Sequence, residues 1–170
     1  MSNQKVRPIR IEGNIAYLPL TRGYEAVVDA SDVLLVRMFN WQAQVMPYTV
    51  YARRVTPRDK NGRQKTIYLH NALHPAPLGL FVDHADTNGL NCKRENLRHC
   101  TQAQNQQNRK MQSRNSTGFK GVSWNKAEVR WDARICTNGK RIFLGLFDSP
   151  QAASAAYIEA RARLHGVFAR

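Results

Sequence analysis

The chain has 170 residues and carries 26 Lys and Arg against 12 Asp and Glu, a formal charge of +14 at pH 7. That length allows one or two small domains, and the cationic surplus points to a polyanionic partner, nucleic acid first, rather than to a membrane, since no long apolar run or clear basic amphipathic helix is present. Three cysteines (Cys92, Cys100, Cys136) without a CxxC pair argue against a disulfide framework and a structural zinc; with no apolar signal core after Met1, the expected compartment is reducing and cytoplasmic.

Ile9 to Ile11 and Ile15 to Leu20 flank Glu12-Gly13-Asn14, a hairpin signal. Tyr24 to Val28 reads as another strand. Asp29 or Ser31 would cap a helix over Asp32 to Phe39, with Val33, Val36 and Phe39 on one face. Tyr48 to Val55 and Lys65 to His70 read as strands joined through the turn Lys60 to Arg63. Arg53, Arg54, Arg58, Arg63 and Lys65 gather around this hairpin, where they suit a DNA backbone or, equally, a solvated edge strand.

The apolar run Leu78 to Val82 reads as a short buried strand ending on Asp83-His84. A turn-rich loop follows, and Arg94-Glu95-Asn96 is expected to open a helix bearing Asn105 and Asn108. These residue types suit phosphodiester hydrolysis. Imidazole titrates near neutrality and can take a proton from water. A divalent cation neutralises charge developing on phosphate, and magnesium takes one or two protein oxygens with water and substrate completing its shell. Asp83 and Asn105 can supply such oxygens, with His84 as base. Neighbours on a strand face opposite sides, so Asp83 and His84 share a site only where the strand ends or twists. Gln102 to Arg114 is polar, and Met111 to Ser116 reads as a linker.

From Thr117 the pattern changes. Phe119 to Trp124, Arg130 to Cys136 and Arg141 to Phe147 alternate as strands, the last two joined across Asn138-Gly139. Asp148 or Ser149 caps an alanine-rich helix reaching Leu164, with Pro150 in its first turn. Three antiparallel strands backed by one helix leave one sheet face open. Arg130, Asp132 and Arg134 share a side of the second strand. A face with Lys120, Arg130, Arg134, Lys140 and Arg141 suits a DNA major groove.

Val82-Asp83-His84, the Asn-Gly turn, Arg94 to Arg98 and Thr101 to Asn105 together resemble the HNH nuclease motif, in the homing-endonuclease variant of bacteriophages and their introns. The resemblance implies His84 as general base, Asp83 and Asn105 as metal ligands, and Asn96 as the residue that steadies the loop and orients the site. Tyr68-Leu69-His70 is similar to the segment before the core in these enzymes, although Asn71 stands where they usually carry Arg. The C-terminal segment is similar to the plant ethylene-response-factor (APETALA) DNA-binding domain through Lys120-Gly121-Val122, Arg130-Trp131, Ala133 to Ile135, Leu144 to Asp148 and Ala152 to Tyr157. Ser123 replaces an arginine usual there, so no base preference transfers.

The expected fold is α+β. Residues 1–77 form a β-rich leader, 78–112 a ββα-metal (HNH) core, 113–118 a linker and 119–170 a three-stranded antiparallel sheet packed on one helix. The expected activity is site-specific DNA cleavage with Mg²⁺ or Mn²⁺, one strand per site, by a monomer on double-stranded DNA. The alternative is a non-catalytic DNA-binding protein with a relic nuclease fold.

Overall fold

The computed structural model describes residues 6–108, 115–137 and 139–168. The chain divides into two compact units, residues 1–100 and 101–170. Each has its own hydrophobic core, and the fold is mixed α+β with small sheets and short helices.

In the first unit, β1 (Arg10–Glu12), β2 (Ile15–Pro19) and β3 (Glu25–Asp29) form an antiparallel sheet. Its inward positions follow the period of two, Ala16 facing Val28 and Leu18 facing Ala26, all four buried. The helix expected over Asp32 to Phe39 shrinks to a 3₁₀ turn and one α-turn, α1 (Val33–Val36). Only Val36 of α1 is buried, while Leu34, Leu35 and Met38 are exposed. The expected cap does not form, because Asp29 accepts the Arg94 backbone N–H at 2.7 Å and Asp32 binds the Arg94 guanidinium. Those distant partners outcompete local capping.

Next come β4 (Gln42–Val45), unforeseen in the sequence, and β5 (Val50–Val55), which lies between β4 and β6 (Thr66–Tyr68). The strand expected to run to His70 stops at Tyr68 and turns into α2 (Leu69–Leu73), whose Leu69 and Leu73 are one turn apart and both enter the core. The strand expected over Leu78 to Val82 is displaced. Pro77 to Leu80 is a turn with Gly79 at φ +84° and Leu78 wholly exposed, and β7 is Phe81–His84. Its partner is β8 (Leu97–Cys100), antiparallel, in the stretch expected to be helical. Arg94–Asn96 is only a 3₁₀ turn. Non-local pairing with β7 overrides the local helix signal, and Leu97 and Cys100 are buried by it.

The second unit opens with α3 (Gln102–Gln107), eight residues beyond the expected helix start at Arg94. Thr101 and Gln104 close a capping box, each side chain bonding the other's backbone N–H. Residues 109–114, which include Met111 to Arg114 of the expected linker, lie outside the described residues, as does Asn138 of the Asn-Gly turn. β9 (Val122–Asn125), β10 (Arg130–Thr137) and β11 (Lys140–Phe147) pair antiparallel with β10 central. β9 starts later than expected, so Lys120 sits in a turn with its ammonium donating to the Gln107 carbonyl at 3.0 Å. α4 (Pro150–His165), capped by Ser149, packs mainly on β10 and buries Ala153, Tyr157 and Ala160. The approach is close at Gly121. A Cβ there would fall 2.2 Å from the Tyr157 ring, and φ is +75°, so only glycine fits.

Candidate functional site

The sequence-predicted residues of the acid-imidazole pair sit at the end of β7. Asp83 and His84 are both buried, and their side chains have different partners, as alternation on a strand requires. Asp83 lies opposite Arg98 of β8, which donates to its Oδ2 from Nε at 2.9 Å and forms an ion pair with it, Nη2 lying 2.8 Å from the same oxygen. His84 turns toward an aromatic cluster. The His70 ring meets it edge to face at a centroid distance of 4.9 Å, and Tyr51 lies 5.9 Å away. Tyr68 stacks on His70 at 5.5 Å, and Tyr51 contacts His70 at 5.6 Å. Burial pushes the His70 pKa down to about 3, with the neighbouring His84 adding to the shift. Burial also lowers the pKa of His84, against opposing pulls from Asp86 and Asp83. The imidazole is therefore neutral at pH 7, the form a general base needs.

The loop after His84 is tied down by one amide. Asn96 donates from Nδ2 to Asp86 Oδ1 at 2.9 Å and to the Asn91 carbonyl at 2.7 Å, and its Oδ1 accepts the Asp86 N–H at 3.0 Å. Asp86 also takes the Asn91 amide at 2.8 Å and the Asn88 N–H at 2.8 Å. Burial raises the Asp86 pKa, but these hydrogen bonds outweigh it and the net shift is downward. The loop is stitched to β3 as well, where Val27 donates to Leu90 and Cys92 donates to Val27. Gly89 seats on β5, and any Cβ would come within 2.6 Å of the Val50 carbonyl and the Tyr51 ring. Cys92 lies buried with Sγ 3.7 Å from His84 Nε2 and 3.8 Å from the Gly89 carbonyl, and burial pushes its thiol up to about 12.

The match to known proteins falls on this segment. The HNH endonuclease family matches residues 74–107. Protein 3.8 of Escherichia phage T7 is 35% identical over 96 residues, which is 56% of this chain and 78% of that protein. The chain belongs to the family of phage T7 protein 3.8, and it carries an HNH endonuclease domain. No solved structure matches it. The HNH domain points to a nuclease with DNA as substrate and to the divalent metal that such enzymes generally use. Among the described residues no helix is long and apolar enough to cross a membrane.

Asp83, His84 and Asn96 thus lie together in the first unit, whereas Asn105 is on α3 of the second. Arg53 and Arg54 are on β5, where Arg54 stacks on Phe39 at 3.8 Å. Arg130 and Arg134 are on β10, and Lys140 and Arg141 are exposed on β11. The Arg face is more engaged than the sequence implied. Arg130 bonds Asp148 at 2.6 Å, and Arg134 chelates Asp132. The sequence reading missed Asp86, Arg98, Tyr51 and Cys92. Asp86 had a visible signal, the Asp-Thr-Asn-Gly turn, while the others become neighbours only through strand pairing.

Among the described residues no group of three or more His, Cys, Asp or Glu side chains is arranged to hold a metal. A carboxylate with an amide oxygen is a smaller, hard-oxygen set, and the Asp83 carboxylate is held at Oδ2 by Arg98.

Proposed function

We propose that this protein is a site-specific, metal-dependent DNA endonuclease that nicks one strand per active site. The observation that carries this reading is the neutral, buried His84 at the end of β7 beside Asp83, within the HNH domain. In this reading His84 is the general base. Cys92 lies beside the base, with Sγ 3.7 Å from His84 Nε2 and 3.8 Å from the Gly89 carbonyl. Asn96 holds the loop that carries the site, and Asp83 and Asn105 would hold the divalent ion, Mg²⁺ or Mn²⁺. When bound, that ion supplies neutralisation of the charge growing on the phosphate. The ββα arrangement of β7, β8 and α3 belongs to this proposal, as do a homing-type role and the monomeric state.

We assign target selection to the sheet of the second unit, on its open face of arginines and its likeness to the ethylene-response-factor domain. Arg53 and Arg54 would contact the backbone, with Lys120, Lys140 and Arg141 doing so from the second unit.

The test is cleavage of supercoiled plasmid bearing candidate target DNA, with Mg²⁺, Mn²⁺ or EDTA, by wild type and His84→Ala. Open circles from the wild type alone, and only with metal, are expected. Retained nicking in His84→Ala would rule out His84 as base; direct linear product would replace the monomer with a dimer. Shifted DNA mobility without cutting under any condition would favour a binding protein.

A further inference from the structure

On the open face of the second unit's sheet, two ion pairs differ in kind. Arg130 and Asp148 have side chains 45% and 86% exposed, so water competes for both and the pair gives way readily to a phosphate. Asp132 is otherwise, its side chain only 4% exposed. Arg134 Nε lies 2.8 Å from Asp132 Oδ1 and Nη2 lies 2.7 Å from Oδ2. A buried carboxylate whose cation leaves is uncompensated, so this pair persists when DNA arrives. The guanidinium itself reaches solvent, at 47% exposure.

The chelation has a directional consequence. Asp132 occupies the Nε–Nη2 edge of the fork and leaves Nη1, together with the second proton of Nη2, aimed away from the carboxylate. The Arg134 guanidinium has no other hydrogen-bond partner among the described residues. The cross-strand partner Phe143 sets its ring 5.6 Å from the guanidinium, limiting its swing. A shallow cleft of about 320 Å³ at this point is lined by Ser123, Asn125, Asp132, Arg134 and Arg141. Two parallel N–H donors held at fixed spacing match the paired acceptors O6 and N7 on the major-groove edge of guanine. No other base offers two acceptors there.

We propose that Arg134, oriented by Asp132, is a specificity-determining residue that reads one guanine of the target. This rests on the reading of the sheet as the DNA-selecting surface. It is a property of this chain's own pair rather than of the likeness to plant domains.

The experiment selects bound sequences from a randomised duplex pool with the full-length protein in EDTA, where nothing is cut, comparing wild type with Arg134→Lys. Lysine keeps the charge beside Asp132 but lacks the fork. The expected result is a wild-type motif with one guanine position that becomes indifferent in the variant, a loss of about 5- to 150-fold in preference there. Replacing that guanine by 7-deazaguanine, which lacks the N7 acceptor, should weaken wild-type binding and leave Arg134→Lys unaffected. Asp132→Asn, which retains Arg134 but loosens its anchor, should blunt preference at the same position. An identical motif from wild type and Arg134→Lys, a change at a base other than guanine, or a 7-deaza penalty undiminished in the variant overturns the inference alone. No motif from the wild type overturns the sheet's selecting role and the inference with it.

Discussion

Replacing Asn96 by alanine separates a residue that holds the site from one that reacts in it. The change deletes three hydrogen bonds and strands the Asp86 N–H, the Asn91 carbonyl and one bond to the Asp86 carboxylate. Neutral bonds of this type contribute about 1 kcal/mol each and one to a charged group about 2. Water reaching the half-buried loop would return part of this, which leaves a cost of about 2–4 kcal/mol, a large share of a small unit's stability. Urea titration followed by hydrogen-exchange mass spectrometry of peptides from β7 and β8 measures the loss within the first unit, beside the rate of single-turnover nicking. Both should fall for Asn96→Ala, with nicking falling further than unfolding accounts for, because the loop behind His84 is no longer fixed. A loss below about 1 kcal/mol together with wild-type nicking would show that Asn96 does not hold the loop.

Gly89→Ala should destabilise the first unit by about 1–3 kcal/mol, because its methyl group would collide with the Val50 carbonyl and the Tyr51 ring; a urea midpoint equal to wild type would refute the close approach. The pH dependence of stability follows from His70, whose pKa falls from 6.5 to about 3 on folding through burial and the adjacent His84. The unfolded chain then binds the extra proton between those values, so this contribution is complete above pH 6.5 and is lost as pH falls towards 3, by up to about 1.4 kcal/mol per unit. His70→Phe, which keeps the ring packing against Tyr68, should flatten that slope; an unchanged slope from pH 4 to 6.5 would acquit His70. Chelation by EDTA should abolish nicking and excess Mg²⁺ should restore it; full activity in EDTA would exclude a metal-dependent reaction.

The HNH stretch was legible before the fold was. Asp83-His84, Asn96 and Thr101 to Asn105 have fixed spacings, and the family match falls on the same segment, residues 74–107. What surrounds them was less so, for physical reasons. β8 reads locally as the start of a helix, and it is a strand because β7 lies beside it, a partner that the sequence leaves 13 or more positions away. Leu78 looked like core on hydrophobicity alone, yet Gly79 turns the chain and leaves it in water. The α3 start, by contrast, was written in the Thr101-Gln104 capping box and could have been read there. On β10 alternation placed the arginines on one side, but not that a buried acid between them would claim Arg134. Partners two residues apart on a strand are visible in sequence; how deeply one of them is buried is not.

The stitching of the loop to β3, through Val27, Leu90 and Cys92, bears on how such a cutting motif can be inherited. Val82, Cys92 and Leu97 share a core with Ala16, Val28 and Trp41. A transplant confined to the thirty-odd motif residues would carry the reactive side chains into a new host without the wall that dehydrates His84, since Tyr51 and His70 come from the preceding segment. Recombination that swaps targets while keeping the cutting function is therefore expected to carry these hundred residues whole together with α3, which bears Asn105 and ends the HNH match at residue 107.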